Sequence, residues 1–442
     1  VARLRTAAPI LAALALGLVA AWPLLAHSGF LLTRGGGDSP FLLLRLHQLV
    51  SGLSAGQFPV RWMPDADYGY GYPFFNYYAA LPFYLAALLR FLGLSYVTAL
   101  KLAQAGALAL GAVGMYAWVR STPSGAARGR LPRAQALLAA AAYSFAPFHL
   151  ANLYVRGDSL SELWAMAFYP LILWRAQRCL DRPDLRRGLA LALVSGLLVL
   201  THNISALNFM PFVALYLVLG RITWARPTRE NVRRWLPALA LSGWPVAAGA
   251  LALVAGLALA AFFWLPALGE TGAVQLADVT QGFFFYGNHF RSADLVQSTW
   301  FYGAETGVGL PSPFAMGLVQ TLLAALGLLA LVARAADRRR WTMGDTFLLL
   351  GLAATTFMIT PASEWVWVNV PLVRFTQFPW RFLSIQALFT AALTAHVAPP
   401  PGSPGTQRWI VAGAMALALG VGGLGGLRPE FVPLSDADVT PQ

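Results

Sequence analysis

Long apolar runs alternate with short polar connectors along nearly the whole chain. Eleven of these runs come near the roughly 20 residues that a helix needs to cross hydrocarbon: about 7–26, 96–119, 134–152, 160–178, 188–203, 204–220, 236–266, 313–333, 345–361, 378–397 and 409–427. They predict an all-α, polytopic membrane bundle of about eleven spans over residues 1–427. The first run is read as a transmembrane helix in preference to a signal peptide, because its apolar core is long and further spans follow. A further apolar segment, 76–92, carries Pro82 and Arg90 inside it and is expected to be an interfacial or re-entrant element. The stretch 188–220 divides into two spans at Thr201-His202-Asn203. The run 236–266 is longer than one span requires, so it either tilts or breaks near Gly243 and Pro245.

The connectors are of two kinds. Those around Arg3 and Arg5, Arg120 to Arg133, Arg175 to Arg187, Arg221 to Arg234, Arg334 to Arg340 and Arg408 are short and basic. The others are longer, aromatic and acidic: 27–95, 153–159, the turn at 201–203, 267–312, 362–377 and the tail 428–442. Basic loops stay in the cytoplasm, so the second set is expected outside, with the N-terminus inside and the C-terminus outside. A tail that ends so soon after the last span suits a chain that continues into an extracytoplasmic domain.

Composition agrees. The chain is 58% hydrophobic and only 11% charged, against about 25% charged in soluble domains. The net charge of +13 does not indicate a nucleic-acid partner, because the arginines are dispersed among the inner connectors and form no single basic face. Lys101 is the only lysine, which reflects compositional bias. With Cys179 the only cysteine, neither an internal disulfide nor a cysteine-based zinc site can form. No Walker loop, serine-hydrolase elbow or HExxH is present.

Candidate chemistry gathers in the outer connectors. Asp38 follows three glycines and precedes FLLLRLHQLV. It reads either as a helix N-cap or as a general base held at the water–lipid boundary. In the helix that follows, Arg45 and Gln48 share one face, and Phe41, Leu42, Leu46, Leu49 and Val50 are expected to lie in lipid. His47 is either a polar-face histidine or a ligand for metal or phosphate. Arg61, Asp65 and Asp67 follow it, with Asp65 and Asp67 either a metal-binding pair or a solvated turn. The run YGYGYPFFNYY, which includes Tyr72, either stacks on sugar rings or forms an aromatic belt. In YVRGDSLSE, Ser159 and Glu162 have the spacing of a capping box. Arg156 there suits a phosphate, and Asp158 and Glu162, four apart, suit a cation or sugar hydroxyls. His202 and Asn203 break a span at the outer surface. Arg374, Gln377 and Arg381 lie in RFTQFPWR, where interfacial anchoring explains the aromatics but not the arginines.

Taken together, one span, a long outer loop opening on an acidic residue, an amphipathic helix, a GYGYPFFNYY run, a later YxRGxxxxE segment and FTQFPWRFL resemble the GT-C class of integral membrane glycosyltransferases. More narrowly, the chain resembles the bacterial membrane proteins called 6-pyruvoyl-tetrahydropterin synthase-related, although no pterin-enzyme signature is visible. The resemblance implies an enzyme of the bacterial cytoplasmic membrane that transfers a hexosyl or pentosyl unit from a polyprenyl-phosphate donor to an extracytoplasmic glycan, lipid or protein acceptor. It implies inversion at the sugar, with Asp38 as catalytic base. It further implies Asp38, Asp158 and Glu162 as candidate ligands of a divalent metal, Mg or Mn. GT-C first loops often carry a pair of acidic residues, whereas Ser39 follows Asp38 here, which puts a metal at that position in doubt. Two other readings remain: a lipid-linked glycan transporter or flippase, and a non-catalytic subunit of envelope polysaccharide assembly. A transporter calls for polar groups at mid-membrane depth, and the runs are nearly free of charge.

Overall fold

The structure, a computed structural model, describes residues 2–33, 39–124, 129–157, 159–220, 229–275, 278–305, 310, 312–335, 342–399 and 402–439. Every apolar run forms helix. Seven runs are single helices: Tyr96–Ser121, Leu160–Asp181, Leu185–Thr201, Asn203–Leu219, Leu318–Ala335, Met343–Ile359 and Gly405–Leu424. The first run is Ala2–Ala20 followed by Trp22–Ala26. Arg133–Ser144 continues through Pro147–Ala151 into a widened turn, Asn152–Arg156. Leu383–Thr394 is preceded by the tight turn Pro379–Phe382.

Helix length alone does not establish eleven spans. Tyr96–Ser121, Arg133–Arg156 and Gly405–Leu424 are long and apolar enough to cross a membrane singly, and up to five spans result if each bent pair counts as one. One bent pair corrects an expectation. The helix Arg229–Leu259 runs unbroken past Gly243 and Pro245, and the chain turns by 65° only at Ala260, into Ala261–Gly269. The other bend, of 91°, lies between Met343–Ile359 and 361–369.

Small residues let the helices approach closely, as is usual where lipid supplies no hydrophobic drive between them. A Cβ on Gly17 would lie 2.5 Å from the Ala109 backbone, and Gly196 and Gly256 face one another so closely that a Cβ on Gly196 would meet the Gly256 carbonyl at 2.7 Å.

The contacts between connectors follow the charge sorting. Phe30–Leu32 pairs antiparallel with Glu430–Val432, which joins the first loop to the tail. Arg90 and the Tyr96 N–H both bind Asp436. The Asn76 amide and the Tyr77 hydroxyl bind Glu270 of the large loop 267–312. Gln377 donates to the Val279 carbonyl at 2.8 Å. All the acidic, aromatic connectors thus meet at one end of the bundle. At the other end Gly344 packs on Thr122, Gly220 packs on Leu180, and Arg120 donates to the Leu131 carbonyl.

Leu81–Phe91, the body of the segment 76–92, has 11 residues and is about 16 Å long, roughly half the hydrocarbon thickness. Its start lies by Ala79, which accepts from Ser161, and its Arg90 reaches Asp436. Both ends therefore belong to the first-loop end of the bundle.

The helix Ser39–Ser54 differs from the expectation. Leu42, Leu46, Leu49 and Val50 are buried, and only Phe41 of the five is exposed. They form a second core with Phe75, Phe83, Ala86 and Leu100. The packed Leu81–Phe91 and Tyr96–Ser121 helices occupy the face that the pattern assigned to lipid. Hydrophobic periodicity registers that a face is buried, not what buries it.

Candidate functional site

Two arginines and one carboxylate occupy the centre of the end where the acidic connectors meet. Arg156 ends the widened turn, Glu162 lies in the first turn of Leu160–Asp181, and Arg381 lies in the turn Pro379–Phe382. The Arg156 guanidinium bonds directly to Glu162 Oε2, and Arg381 Nε lies 3.7 Å from the same oxygen. Ser159 donates to it at 3.2 Å. Glu162 is only 1% exposed, and the arginine side chains are 16% and 12% exposed.

The surrounding backbone is shaped to hold this arrangement. Gln377 has φ 64°, and the Phe378 N–H reaches back to the Thr376 carbonyl at 2.7 Å. This is a γ-turn of the rare strained hand, and strain of this kind persists where the surroundings enforce it. The turn gives Arg381 two acceptors, the Thr376 carbonyl at 2.8 Å and Gln377 Oε1 at 3.1 Å. Thr376 is itself fixed by donation to Asn208. The Arg156 guanidinium stacks 5.2 Å from Trp380 and that of Arg381 4.9 Å from Phe378. With its amide turned to satisfy both neighbours, Asn152 accepts from Arg156 at 3.2 Å and donates to the Ser159 carbonyl at 3.1 Å.

Ser159 and Glu162 do not form a capping box. The Ser159 side chain caps no backbone N–H and is spent on the carboxylate. Charge explains the difference, since a hydroxyl bond to an ionised carboxylate is stronger than one between neutral groups.

Asp38 and Asp158 lie outside the described residues. The flanks of Asp38 are defined, however. The Thr33 N–H donates to Ser39 Oγ at 3.1 Å, and the Thr33 hydroxyl reaches the Arg156 carbonyl at 3.5 Å. Gly157, at φ 66°, is packed so tightly that a Cβ there would lie 2.3 Å from Thr33 and 2.9 Å from Ser39. Only glycine admits both that conformation and that approach. Both ends of the segment carrying Asp38 are thereby held against the segment carrying Arg156.

The remaining sequence candidates separate into neighbours and supports. Arg45 stacks over Phe74 at 4.6 Å and Tyr78 at 5.5 Å, and Tyr78 lies edge-on to His202 at 6.4 Å. His202 is buried and caps Asn203–Leu219 through Ser205, and the exposed Asn203 accepts from the Ile204 N–H. Arg374 is exposed and donates to the Pro371 carbonyl. His47 is buried against Tyr96, and burial lowers its pKa from 6.5, with the Asp65 charge opposing. Gln48 clamps Asp65 from both sides, donating to the carboxylate at 2.6 Å and accepting from its N–H at 3.0 Å. Arg61 spans Asn76 and the Phe262 carbonyl. Asp67 lies in an exposed turn at φ 52°, and Tyr72 is exposed.

Sequence reasoning missed Asn152, Trp380 and Glu270. Asn152 is placed by the widened turn, which no periodicity reveals. Trp380 stood in a noted motif but was read as an anchor. Glu270 is tied to Asn76 and Tyr77, 194 and 193 residues away, a pairing that spacing within one segment does not reveal.

The described residues do not by themselves build a metal site. Among them no group of three or more His, Cys, Asp or Glu converges, and two guanidiniums beside Glu162 Oε2 oppose a divalent cation at that oxygen.

A protein-family profile described as "6-pyruvoyl-tetrahydropterin synthase related domain; membrane protein" matches residues 75–421. An uncharacterized protein of Lactococcus lactis subsp. cremoris (strain MG1363) is 24% identical over 233 residues, 53% of this chain and 35% of its own length. Two structures of an oligosaccharyltransferase from Archaeoglobus fulgidus align with 97% of the chain at 15% identity. One, in complex with Zn and sulfate, gives a TM-score of 0.51 over 53% of that chain. The other, AglB with an inhibitory peptide and a dolichol-phosphate, gives 0.52 over 56%. The chain spans about half the length of these archaeal proteins, and what it shares with them is the fold.

Proposed function

The chain belongs to the 6-pyruvoyl-tetrahydropterin synthase related family of membrane proteins, and from that membership and the GT-C fold we propose that it is a membrane glycosyltransferase. The donor is a sugar linked to a polyprenyl phosphate, and the acceptor is a hydroxyl compound on the outer face of a bacterial cytoplasmic membrane. The observation that carries this reading is the convergence of Arg156 and Arg381 on Glu162, beside a glycine that clamps both flanks of the Asp38 segment.

In this mechanism the donor phosphate lies at the headgroup plane against Arg156 and Arg381. Asp38 takes the proton of the acceptor hydroxyl. The hydroxyl oxygen attacks the anomeric carbon from the face opposite the phosphate. The sugar–phosphate C–O bond breaks, its electron pair leaves on the phosphate, and the configuration inverts. The guanidiniums meet the charge that develops on the leaving group, and fixed charge is most effective in a dry site. Glu162 is a positioning residue that holds both guanidiniums. Asp158 is assigned to the acceptor side as a hydroxyl or cation ligand. A divalent ion, if bound, would add charge stabilisation at the phosphate, and no step above depends on it.

Asp38→Asn tests the proposal. Asn caps a helix about as well as Asp, so folding is retained, while loss of the base lowers transfer by about 10²- to 10⁴-fold. The measurement is radiolabelled sugar transfer from a polyprenyl-phosphate donor by the purified protein. Full activity in a well-folded variant would remove Asp38 from the mechanism.

A further inference from the structure

The loop that follows Arg61 exposes an unusual set of side chains. Tyr68 is 99% exposed, Tyr70 85% and Tyr72 52%. They are displayed by backbone that disfavours ordinary residues: Asp67 and Tyr68 have φ 52° and 58°, and Gly69 and Gly71 have φ 87° and 83°. Such conformations cost free energy at non-glycine positions. The loop is nonetheless firmly built. Met63 and Tyr72 exchange two backbone hydrogen bonds of 2.9 and 3.0 Å, and the Trp62 indole lies on Gly71 so closely that a Cβ there would be 2.4 Å away.

The rings continue inward. Tyr72 lies 6.4 Å from Phe74, Phe74 stacks on Tyr78 at 4.5 Å, and Tyr78 meets His202 at 6.4 Å. The Ala79 carbonyl, next to Tyr78, accepts from Ser161, next to Glu162, at 3.3 Å. One aromatic series therefore runs inward from Tyr72 toward the segment carrying Glu162, with Tyr68 and Tyr70 exposed on the loop beyond its outer end.

Three observations bear on what such a series receives. No lysine or arginine occurs from Trp62 to Leu89, whereas Asp65 and Asp67 do. The Arg45 guanidinium stacks on Phe74 and Tyr78 at the inner end, so the exposed tip itself carries only acidic charge. Helices and loops that seat on anionic bilayers carry cations on their polar side, so the charge here is of the wrong sign for a lipid surface. Exposed tyrosine rings on a loop without cations instead suit a neutral chain of hydroxyl-bearing rings, whose apolar faces stack on them. The same hairpin also has a separate apolar face, a cleft of about 310 Å³ lined by Phe58, Val60, Phe75, Tyr84 and Phe262.

We propose that Tyr68, Tyr70, Tyr72, Phe74 and Tyr78 form a track that binds a neutral oligosaccharide and leads its end to Arg156, Glu162 and Arg381. The acceptor is then a glycan chain held along several sugars. The assignment of that chain as acceptor rests on the transfer reading above; binding along the track does not.

The test uses the full chain in nanodiscs of zwitterionic lipid, with cellohexaose, chitohexaose, mannohexaose and maltohexaose as probes. Saturation-transfer NMR and calorimetry read binding without turnover. At least one hexasaccharide binds saturably, each single Tyr→Ala change at 68, 70 or 72 weakens it roughly three- to tenfold, and the triple change abolishes it. The three Tyr→Phe variants keep most of the affinity because the ring faces remain. Absence of saturable binding by every probe, or affinity unchanged in the triple variant, overturns the proposal. So does a spin label at Tyr68→Cys that is relaxed by oxygen rather than by a water-soluble nickel chelate, because the loop would then lie in lipid. Binding without transfer would overturn the enzyme reading alone, and transfer without binding would overturn the track alone.

Discussion

Two assemblies of arginine and glutamate hold the acidic end of this protein together, and they are built differently. In the cradle, Arg156 and Arg381 meet Glu162 directly, and the carboxylate is 1% exposed. In the brace, Arg61 and Glu270 never touch: Asn76 accepts from the arginine at 2.7 Å and donates to the glutamate at 2.8 Å, and Glu270 is exposed. A brace of amide and half-exposed charges costs little desolvation. A buried ion cluster costs several kcal/mol per ion to desolvate and is weak evidence of stability in itself. The transfer proposal gives the cradle, and not the brace, a chemical role, and the strained turn at Gln377 adds to the cradle's cost.

The sharpest way to break the comparison is to remove charge from the cradle. Arg156→Gln is expected to lower sugar transfer by about 10²- to 10³-fold and to destabilise the fold by roughly 3–5 kcal/mol, because it strips one partner from a buried carboxylate. Adding Glu162→Gln removes that carboxylate charge as well. That also takes the carboxylate from the Arg381 guanidinium, so thermal stability in detergent falls further and transfer stays low. If the double variant regained transfer together with stability, the cradle would be a structural brace like the other.

Most of the helices were legible in the sequence because apolar length is a direct physical requirement. So was the grouping of the first loop, the large loop and the tail, which share an acidic, aromatic character and touch one another. The break at His202 was found by charge alternation alone, and its backbone is extended there, at φ −159°. What the pattern did not reveal was who packs on whom. The Leu42, Leu46 and Leu49 face was assigned to lipid and is covered by protein. His47 and Gln48 passed for polar-face residues and are buried. Arg156, Glu162 and Arg381 were each singled out, yet their meeting depends on residues 219 apart in sequence, which spacing within one segment does not reveal. For the run 236–266 a tilt or a break near Gly243 and Pro245 was expected, because glycine and proline punctuate helices, whereas the bend lies at Ala260.

A milder change acts on the brace. Arg61→Gln removes donors to Asn76 and the Phe262 carbonyl, and each hydrogen bond of this kind contributes roughly 0.5–1.5 kcal/mol. The expected result is a stability loss of about 1–2 kcal/mol by denaturant or heat, with transfer within about threefold of wild type because no cradle charge is altered. A loss of transfer as large as that of Arg156→Gln would place Arg61 on the substrate and erase the distinction between the two assemblies.

The smallest expected effect lies in the pH dependence of the first loop that the brace supports. His47 is buried beside Tyr96 and next to the Gln48 that clamps Asp65. Burial lowers its pKa from 6.5, and the Asp65 charge only partly opposes this. Above pH 6.5 the ring is neutral in both the folded and the unfolded chain, so its stability contribution there is complete. Below 6.5 the unfolded chain takes up the proton first, and stability falls as the pH falls toward the lower folded value. The melting temperature in detergent should therefore drop between pH 7.5 and 5.5, and His47→Gln should shallow that drop, by at most about 1.4 kcal/mol per pH unit for one proton. Equal slopes would mean that the ring exchanges protons as freely folded as unfolded. A wild-type protein that gained stability on acidification relative to the variant would mean that Asp65 outweighs burial. His47 would then be a charged member of the loop and would belong with the cradle as an anion-binding group.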